Sequence, residues 1–311
     1  MEQKAQILRI EKISPNDGKG LRTVVFFKGC PLKCKWCSTP ESQIEAAQLY
    51  YKSEKCISCG RCVEICRQNA LSFDEQTRKV IVDRQRCNSC YQCVSRCLKN
   101  ALGVFGKLMT VKEVMKIILR DEIFYFHSGG GVTLSGGDVL RQAGFAKELL
   151  MQCKDSAIHT MAELDMFGSY RNVEMLLPYL DEFYVDIKLM NREAHKKWTG
   201  VDNQTILENT RKASKYCKKN ALHIRLPLIW DVNDSYENIL ETANYCKSLE
   251  NCSELEFLPY HRLGQITYES IGREYELKDL PPMTFDEAYE KVKFLKGLDL
   301  PFRVKISGKE I

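Results

Sequence analysis

Eleven of the fifteen cysteines of this 311-residue chain lie between Cys30 and Cys97, and their spacing constrains the fold more than any other feature. They fall into three groups. Cys30, Cys34 and Cys37, in FFKGCPLKCKWCSTPES, have three and then two residues between them. The other eight form two runs, Cys56-x2-Cys59-x2-Cys62-x3-Cys66 and Cys87-x2-Cys90-x2-Cys93-x3-Cys97. The stretch that starts at Cys56, CISCGRCVEICRQNAL, returns from Cys87 as CNSCYQCVSRCLKNAL, and both copies close on Asn-Ala-Leu. Such self-similarity is the mark of a repeated structural unit. It predicts a module of its own, inserted into something larger. Cys153, Cys217, Cys246 and Cys252 are scattered and read as small buried apolar side chains.

The N-terminus, MEQKAQILRIEK, has no apolar core of the signal-peptide kind. No run reaches the roughly 18 apolar residues of a membrane span. The expectation is a soluble, cytoplasmic protein with no membrane partner. That compartment keeps thiols reduced, so clustered cysteines there point to metal rather than disulfides. Net charge is +5, with basic residues spread among acidic ones. No basic stripe marks a nucleic-acid partner.

Outside the cysteine-rich segment, short apolar runs alternate with amphipathic stretches. Expected strands are 21–28, 132–135, 157–164, 183–189, 222–229, 255–260 and 302–307, and expected helices are 111–120, 140–153, 170–180, 205–218, 235–249 and 285–297. Strands alternating with helices imply a parallel sheet with right-handed crossovers. Six or seven such units close, or nearly close, a barrel, with chemistry at the carboxyl ends of the strands.

A cubane [4Fe–4S] cluster has four irons, each wanting a ligand. Cys30, Cys34 and Cys37 supply three from one loop after the first strand, which leaves one iron open to a small molecule. A zinc site completed from elsewhere is the alternative, but zinc favours paired C-x2-C spacing. The two octet runs match the bacterial two-cluster ferredoxin pattern, with Arg67 and Leu98 where a proline usually follows the fourth cysteine. Its cross-ligation rule assigns Cys56, Cys59, Cys62 and Cys97 to one cluster, and Cys87, Cys90, Cys93 and Cys66 to the other. Clusters with no open iron suit electron transfer. A purely structural staple for a segment with little core is the alternative.

Downstream, SGGGVTLSGGD carries Gly136, Gly137 and Asp138, and glycines after a strand let backbone approach a ligand closely. VDIK places Asp186 and Lys188 two apart on one strand face; a solvated strand end is the alternative for Lys188. Arg225 sits inside the apolar strand HIRLPL and calls for a carboxylate partner. His261 follows the sixth strand in PYHRLG.

With Trp36 before the last cysteine, the first group resembles the Cx3CxφC signature of radical S-adenosylmethionine enzymes, φ being aromatic. Over nearly the whole chain the sequence resembles one subgroup, the glycyl-radical enzyme activating enzymes. The likeness covers NDGKGLRTVVFFKGCPLKCKWCSTPESQ, HSGGGVTLSGG, VDIKLMNREAHKKWTGVDNQTILEN, RLPLIWDVND and EFLPYHRLG. The insert is like that of the longer members, which serve lyases, decarboxylases and dehydratases. The resemblance implies an α/β fold, a partial (β/α)6 TIM-type barrel with an inserted bacterial-ferredoxin-like 2x[4Fe-4S] domain. Its segments would be 1–48 and 107–311 for the barrel and 49–106 for the insert. It implies three [4Fe–4S] clusters and adenosylmethionine held by Trp36, Cys37, Ser38, Gly136, Gly137, Asp138, Asp186, Ile187, Lys188, Arg225 and His261. A monovalent cation would sit on Glu163 and Asp186. Reductive cleavage to methionine and a 5′-deoxyadenosyl radical, made at the Cys30, Cys34 and Cys37 cluster, would serve to abstract hydrogen from a backbone glycine of a separate enzyme. The electron donor would be a low-potential ferredoxin or flavodoxin. The alternatives are a radical enzyme acting on another peptide or small molecule, and a cluster carrier without catalysis. The chain departs from the family at Lys19, where proline is usual, at Asp138, where glutamate is usual, and at Leu164-Asp165, after the third-strand acid.

Overall fold

The computed structural model describes residues 3–311. The chain opens with an antiparallel pair, β1 (Lys4–Ser14) and β2 (Arg22–Phe27). It then leaves for the cysteine-rich insert: β3 (Gln48–Tyr51), α1 (Arg61–Glu64), β4 (Leu71–Phe73), β5 (Val80–Val82), α2 (Gln92–Arg96) and β6 (Leu102–Phe105). β6 pairs back onto β3 and closes the insert, while β4 and β5 form a separate hairpin. β7 (Lys107–Thr110) returns to the edge of β1, followed by α3 (Val111–Ile118) and α4 (Glu122–Ser128). Strands and helices then alternate: β8 (Gly131–Gly136), α5 (Ala143–Asp155), β9 (His159–Leu164), α6 (Tyr170–Leu176) and β10 (Glu182–Asp186). Next come α7 (Arg192–Thr199), α8 (Gln204–Tyr216), β11 (Leu222–Leu228), α9 (Tyr236–Lys247) and β12 (Cys252–Pro259). The chain ends with α10 (Gln265–Ser270), α11 (Phe285–Val292), β13 (Arg303–Ile306) and β14 (Lys309–Glu310).

One sheet runs β14-β13-β12-β11-β10-β9-β8-β2-β1-β7. Its seven central strands, from β2 and β8 through β13, are parallel. Each coincides with an expected strand. The sequence reading missed β1 and β7, which cover the outer edge of β2. KAQILRIEKIS buries Ala5 and Ile7 while its second half is half-buried or exposed. That is the pattern of an antiparallel strand with one wet face, easily taken for a polar terminus. The pairing removes an edge that would otherwise offer free backbone groups. α7 was also missed: its apolar stripe is too short to stand out, and the Asn191 side chain caps its start through the Ala194 N–H.

The parallel strands have two unlike faces. Phe183 and Val185 of β10, Ile224 and Leu226 of β11, and Leu255 and Phe257 of β12 are fully buried in the main core. Residues at the alternate positions share the other face, and they are charged. Arg225 Nη1 lies 2.6 Å from Glu163 and its Nε 2.8 Å from Glu256, with the guanidinium 3.4 Å from the Tyr184 ring centre. The carboxylate partner expected of Arg225 is therefore two partners. His223 bridges Glu182 at 2.9 Å and Glu254 at 3.4 Å. A broad open cavity of about 2540 Å³ is lined by Glu182, Tyr184, His223, Arg225, Glu254 and Glu256. Charges are tolerated in such a place when each is paired.

Burial alone would depress the His223 pKa, but Glu182 and Glu254 outweigh it and hold it above the ordinary value. The stabilisation is thus full below the unfolded pKa of about 6.5 and is lost as pH rises through the folded one. Unfolding midpoints taken across a pH series are expected to fall on the alkaline side of about 6.5, and His223→Gln is expected to flatten that slope. Arg225→Met strands two carboxylates and is expected to cost about 3–5 kcal/mol in a denaturation experiment.

Candidate active site

The loop after β2 is pinned from both sides. Gly29 N–H donates to the Ser42 carbonyl at 2.7 Å, and the Lys33 and Lys35 N–H groups donate to Thr199 and Trp198 at the end of α7. Lys28 is fully buried and donates its ammonium to the Glu41 carbonyl; burial brings its pKa down to about 8. A second anchor is the glycine pair at the end of β8. Gly136 has φ +109, and a Cβ there would sit 2.5 Å from the Phe27 backbone nitrogen. A Cβ on Gly137 would sit 2.4 Å from the Gly29 carbonyl oxygen. The Gly137 and Asp138 N–H groups then donate to Phe27 and Gly29 at 2.9 and 2.8 Å. The pair is thus needed for packing against the cysteine loop, a reason that spacing alone did not reveal.

Above this floor a cavity of about 1760 Å³ is lined by residues from β2 and from β8 through β12 or the loops that follow them. Cys30, Cys34, Trp36, Cys37 and Ser38 form one wall, and Gly136, Gly137, Glu163, Asp186, Lys188 and His261 contribute the rest of the expected set. Lys188 is 6% exposed, which excludes the solvated strand end. Its ammonium lies 2.9 Å from Asp186 and 3.5 Å from Asp165. Burial opposes its charge, yet those two carboxylates keep its pKa above the usual value. Burial pushes the Cys34 thiol up, with Lys188 acting in the opposite direction. Asp165, marked in the sequence only as a departure, accepts a hydrogen bond from Cys30 Sγ at 3.0 Å. His261 is exposed on the rim, and burial of part of its ring lowers its pKa.

Three expected contacts lie elsewhere. The Ile187 side chain is in the core and Arg225 lines the neighbouring charged cavity. Asp138 is fully buried behind the glycine pair, where its Oδ1 accepts from the Leu140 N–H at 3.1 Å. Its other oxygen is buried with no hydrogen-bond partner. The carboxylates expected to hold a cation already have protein partners: Glu163 pairs with Arg225 and accepts from Ser135, and Asp186 pairs with Lys188. Among the described residues no three His, Cys, Asp or Glu side chains converge as a single-ion site.

In the insert, α1 and α2 occupy matching places in the two copies of the repeat, and each buries its third cysteine, Cys62 or Cys93. Two cavities flank them. One, of about 390 Å³, is lined by Cys56, Cys59, Cys62 and Cys97. The other, of about 360 Å³, is lined by Cys66, Cys87, Cys90 and Cys93. The two linings coincide with the sets that the cross-ligation rule assigns. Backbone N–H groups point at their sulfurs: Ser58 to Cys56 at 3.4 Å, Ala70 to Cys66 at 3.3 Å and Ala101 to Cys97 at 3.2 Å. Four convergent thiols beside amide donors fit an iron–sulfur cluster. In the main cavity, three thiols beside a cationic lysine fit an iron–sulfur cluster.

Residues 55–101 match the family described as the 4Fe-4S dicluster domain. The choline trimethylamine-lyase activating enzyme of Oleidesulfovibrio alaskensis is 38% identical, with 98% of this chain and 99% of that protein covered. The trans-4-hydroxy-L-proline dehydratase activating enzyme of Clostridioides difficile is also 38% identical, over 97% and 99%. The chain belongs to the glycyl-radical enzyme activating enzymes. A third member, the indoleacetate decarboxylase activating enzyme of Tractidigestivibacter scatoligenes, is 40% identical over 90% of each chain. The fold is shared with a crystal structure of a radical SAM methyltransferase from Sphaerobacter thermophilus, at a TM-score of 0.53 and 11% identity, covering 97% of this chain and 77% of that one. The activating enzyme is a radical S-adenosylmethionine, iron–sulfur oxidoreductase. Among its described residues no helix is long and apolar enough to cross a membrane.

Gly136→Ala would place a side chain at φ +109 against the Phe27 backbone. It is expected to cost more than about 1 kcal/mol, read as a lowered thermal unfolding midpoint.

Proposed function

We propose that the chain activates one separate glycyl-radical enzyme from the cavity that Cys30, Cys34 and Cys37 share with Gly136, Gly137, Asp186, Lys188 and His261. That shared lining is the observation that carries the reading. The three cysteines would hold a [4Fe–4S] cluster with one open iron. Adenosylmethionine would lie against Trp36, Ser38, the glycine pair, Asp186, Lys188 and His261, with the Ile187 backbone behind it. When bound, the cluster and cosubstrate supply one-electron sulfonium cleavage to methionine and a 5′-deoxyadenosyl radical, which takes a hydrogen atom from a partner's glycine Cα and leaves as 5′-deoxyadenosine.

The chain's own groups bind and orient. Asp138, buried behind the glycine pair, accepts from the Leu140 N–H and steadies the loop after β8 rather than touching the ligand. Lys188 sets a fixed positive charge beside Cys34, and charge fixed in a water-poor pocket acts more strongly than in bulk water. Arg225 and Lys188 already neutralise Glu163 and Asp186, so the reading carries no added cation.

The architecture proposed is a partial (β/α)6 barrel, open where the sheet's two ends face each other. The support is that Pro15, Gly18 and Lys19, beside β2, line the same cavity as Arg303 and Lys305 of β13. The partner's glycine loop enters through this gap, where Lys19 meets it. The insert, 49–106, is a separate unit with its own small core of Leu49, Leu71, Val80 and Leu102 between barrel segments 1–48 and 107–311. It holds two further clusters, and a low-potential ferredoxin or flavodoxin in the cytoplasm supplies the electron. By the relatives' names, the partner is a lyase, decarboxylase or dehydratase.

Anaerobic reconstitution, iron analysis and a dithionite-dependent 5′-deoxyadenosine assay test the reading. Cys34→Ala is expected to abolish deoxyadenosine formation and to keep the insert's iron. With its cognate glycyl-radical enzyme, the wild type is expected to raise a glycyl-radical signal by electron paramagnetic resonance. Deoxyadenosine without that signal would favour a different radical substrate, and none at all from the loaded wild type would overturn the reading.

A further inference from the structure

The insert's repeat is symmetric in backbone as well as sequence. At matching positions of the two copies, Ser58 and Ser89, Gly60 and Tyr91, and Asn69 and Asn100 take positive φ in pairs. One pair is chemically unlike: Gly60 stands at φ +81, but its counterpart at φ +58 is Tyr91. Glycine takes that conformation freely and tyrosine does not. Tyr91 lies between Cys90 and Cys93, and its hydroxyl donates to the Ala47 carbonyl at 2.7 Å, outside the insert. A little before Ala47 in the chain, the Gln43 carbonyl accepts from the Cys30 N–H at 3.4 Å. Arg84, close to Cys87, makes a second bridge, donating to the Ser270 carbonyl at the end of α10 at 3.1 Å. Just before the start of that helix, Gly264 lies against the Cys37 and Ser38 carbonyls. Among the described residues these are the only hydrogen bonds from the cluster-bearing stretch 53–101 to the chain outside the insert. Both leave from the side of the Cys66, Cys87, Cys90 and Cys93 cavity.

The rim of the other cavity differs in charge and makes none of these bridges. Arg96 and Lys99 are exposed on its rim, with Ile57 55% and Leu98 62% exposed beside them. The rim of the first cavity carries neutral Gln68, Asn88 and Gln92 instead. Residues 49–106 hold ten Lys and Arg against five Asp and Glu, an excess of five that equals the whole chain's +5. Bound clusters add negative charge at depth, but the rim offered to a partner remains basic with apolar tips.

We propose that electrons cross the insert in one direction. They enter at the Cys56, Cys59, Cys62 and Cys97 cluster, beneath a face that docks an acidic electron-carrier protein. They leave from the Cys66, Cys87, Cys90 and Cys93 cluster along the Tyr91 and Arg84 contacts to the Cys30, Cys34 and Cys37 loop. The carrier is oxidised by one electron, each cluster in turn is reduced by one and reoxidised, and no proton or bond moves. This rests on the reading of the main cavity given above.

The test uses the full-length, cluster-loaded enzyme and a reduced, acidic flavodoxin in stopped flow. Arg96→Glu with Lys99→Glu is expected to slow reduction by flavodoxin about tenfold at low salt, the difference shrinking as salt rises. Reduction by dithionite is expected to be unchanged. Tyr91→Gly, which restores the glycine of the other repeat, is expected to leave insert reduction at the wild-type rate and to slow arrival of the electron at the third cluster, read by freeze-quench electron paramagnetic resonance. Tyr91→Phe deletes only the hydroxyl and is expected to slow the same step, which keeps the test open should the glycine variant lose its clusters. Wild-type flavodoxin rates in the charge-reversed protein would overturn the entry face. An unslowed third cluster in both Tyr91 variants would overturn the exit. Failure of the wild type to make deoxyadenosine with dithionite would count against the main-cavity reading and leave these rates readable.

Discussion

The active end of the sheet depends on two strand ends lying within a backbone's width of each other. Phe27 to Gly29, leaving β2, and Gly136-Gly137, leaving β8, are so close that neither glycine of the pair has room for a Cβ. The hydrogen bonds across this contact hold the start of the cysteine loop, and the end of α7 holds its middle. Three thiols therefore project into one cavity from a loop fixed at several points. A reaction that makes a carbon radical needs its groups placed before the event, because correct placement supplies much of the rate. The same glycines were read from the sequence as a place for a ligand to approach. Packing against the neighbouring loop is an equally strong reason for them.

The second organising feature is the charged inner face of the sheet. A closed barrel fills its centre with branched apolar side chains. Here Arg225, His223 and their carboxylates occupy alternate positions of β9 to β12, and the space between them stays open. Each charge is compensated by a neighbour one or two strands away, so the lattice is stable only while the register is kept. It also supplies the surroundings of the cavity above. Lys188 is buried because Asp186 and Asp165 pair with it, and Glu163 is neutralised from below by Arg225.

The insert shows how a duplicated sequence becomes an asymmetric device. The paired positive-φ residues show that both halves fold alike, and each cavity draws three cysteines from one half and one from the other. Asymmetry enters through single residues: Tyr91 for Gly60, Arg84 towards α10, and Arg96 with Lys99 on the outer rim. These tie one cavity to the rest of the chain and give the other a basic rim without such ties. The folding unit is symmetric, and its attachments are not.

Features carried by local chemistry were legible in the chain itself. The cysteine spacings, the internal repeat, the seven parallel strands and the family all follow from short-range pattern, because a strand's period or a ligand's spacing is written into adjacent residues. Features that depend on residues far apart were not. β1 was invisible because its half-polar pattern acquires meaning only when β2 needs an edge covered. Asp165 reaches Cys30 from the far side of the insert, and Trp198 and Thr199 of α7 hold the cysteine loop from still further along the chain. Asp138 and Arg225 were placed at the cofactor by their proximity to motifs, but close packing of the glycine pair buried one against the Leu140 N–H and strand register put the other at the centre of an ion-pair lattice. Sequence determined which chemical groups the protein owns and the local elements that bear them. Only the tertiary structure decided which of those groups meet, because that depends on how the strands align and on which charges find partners once water is excluded.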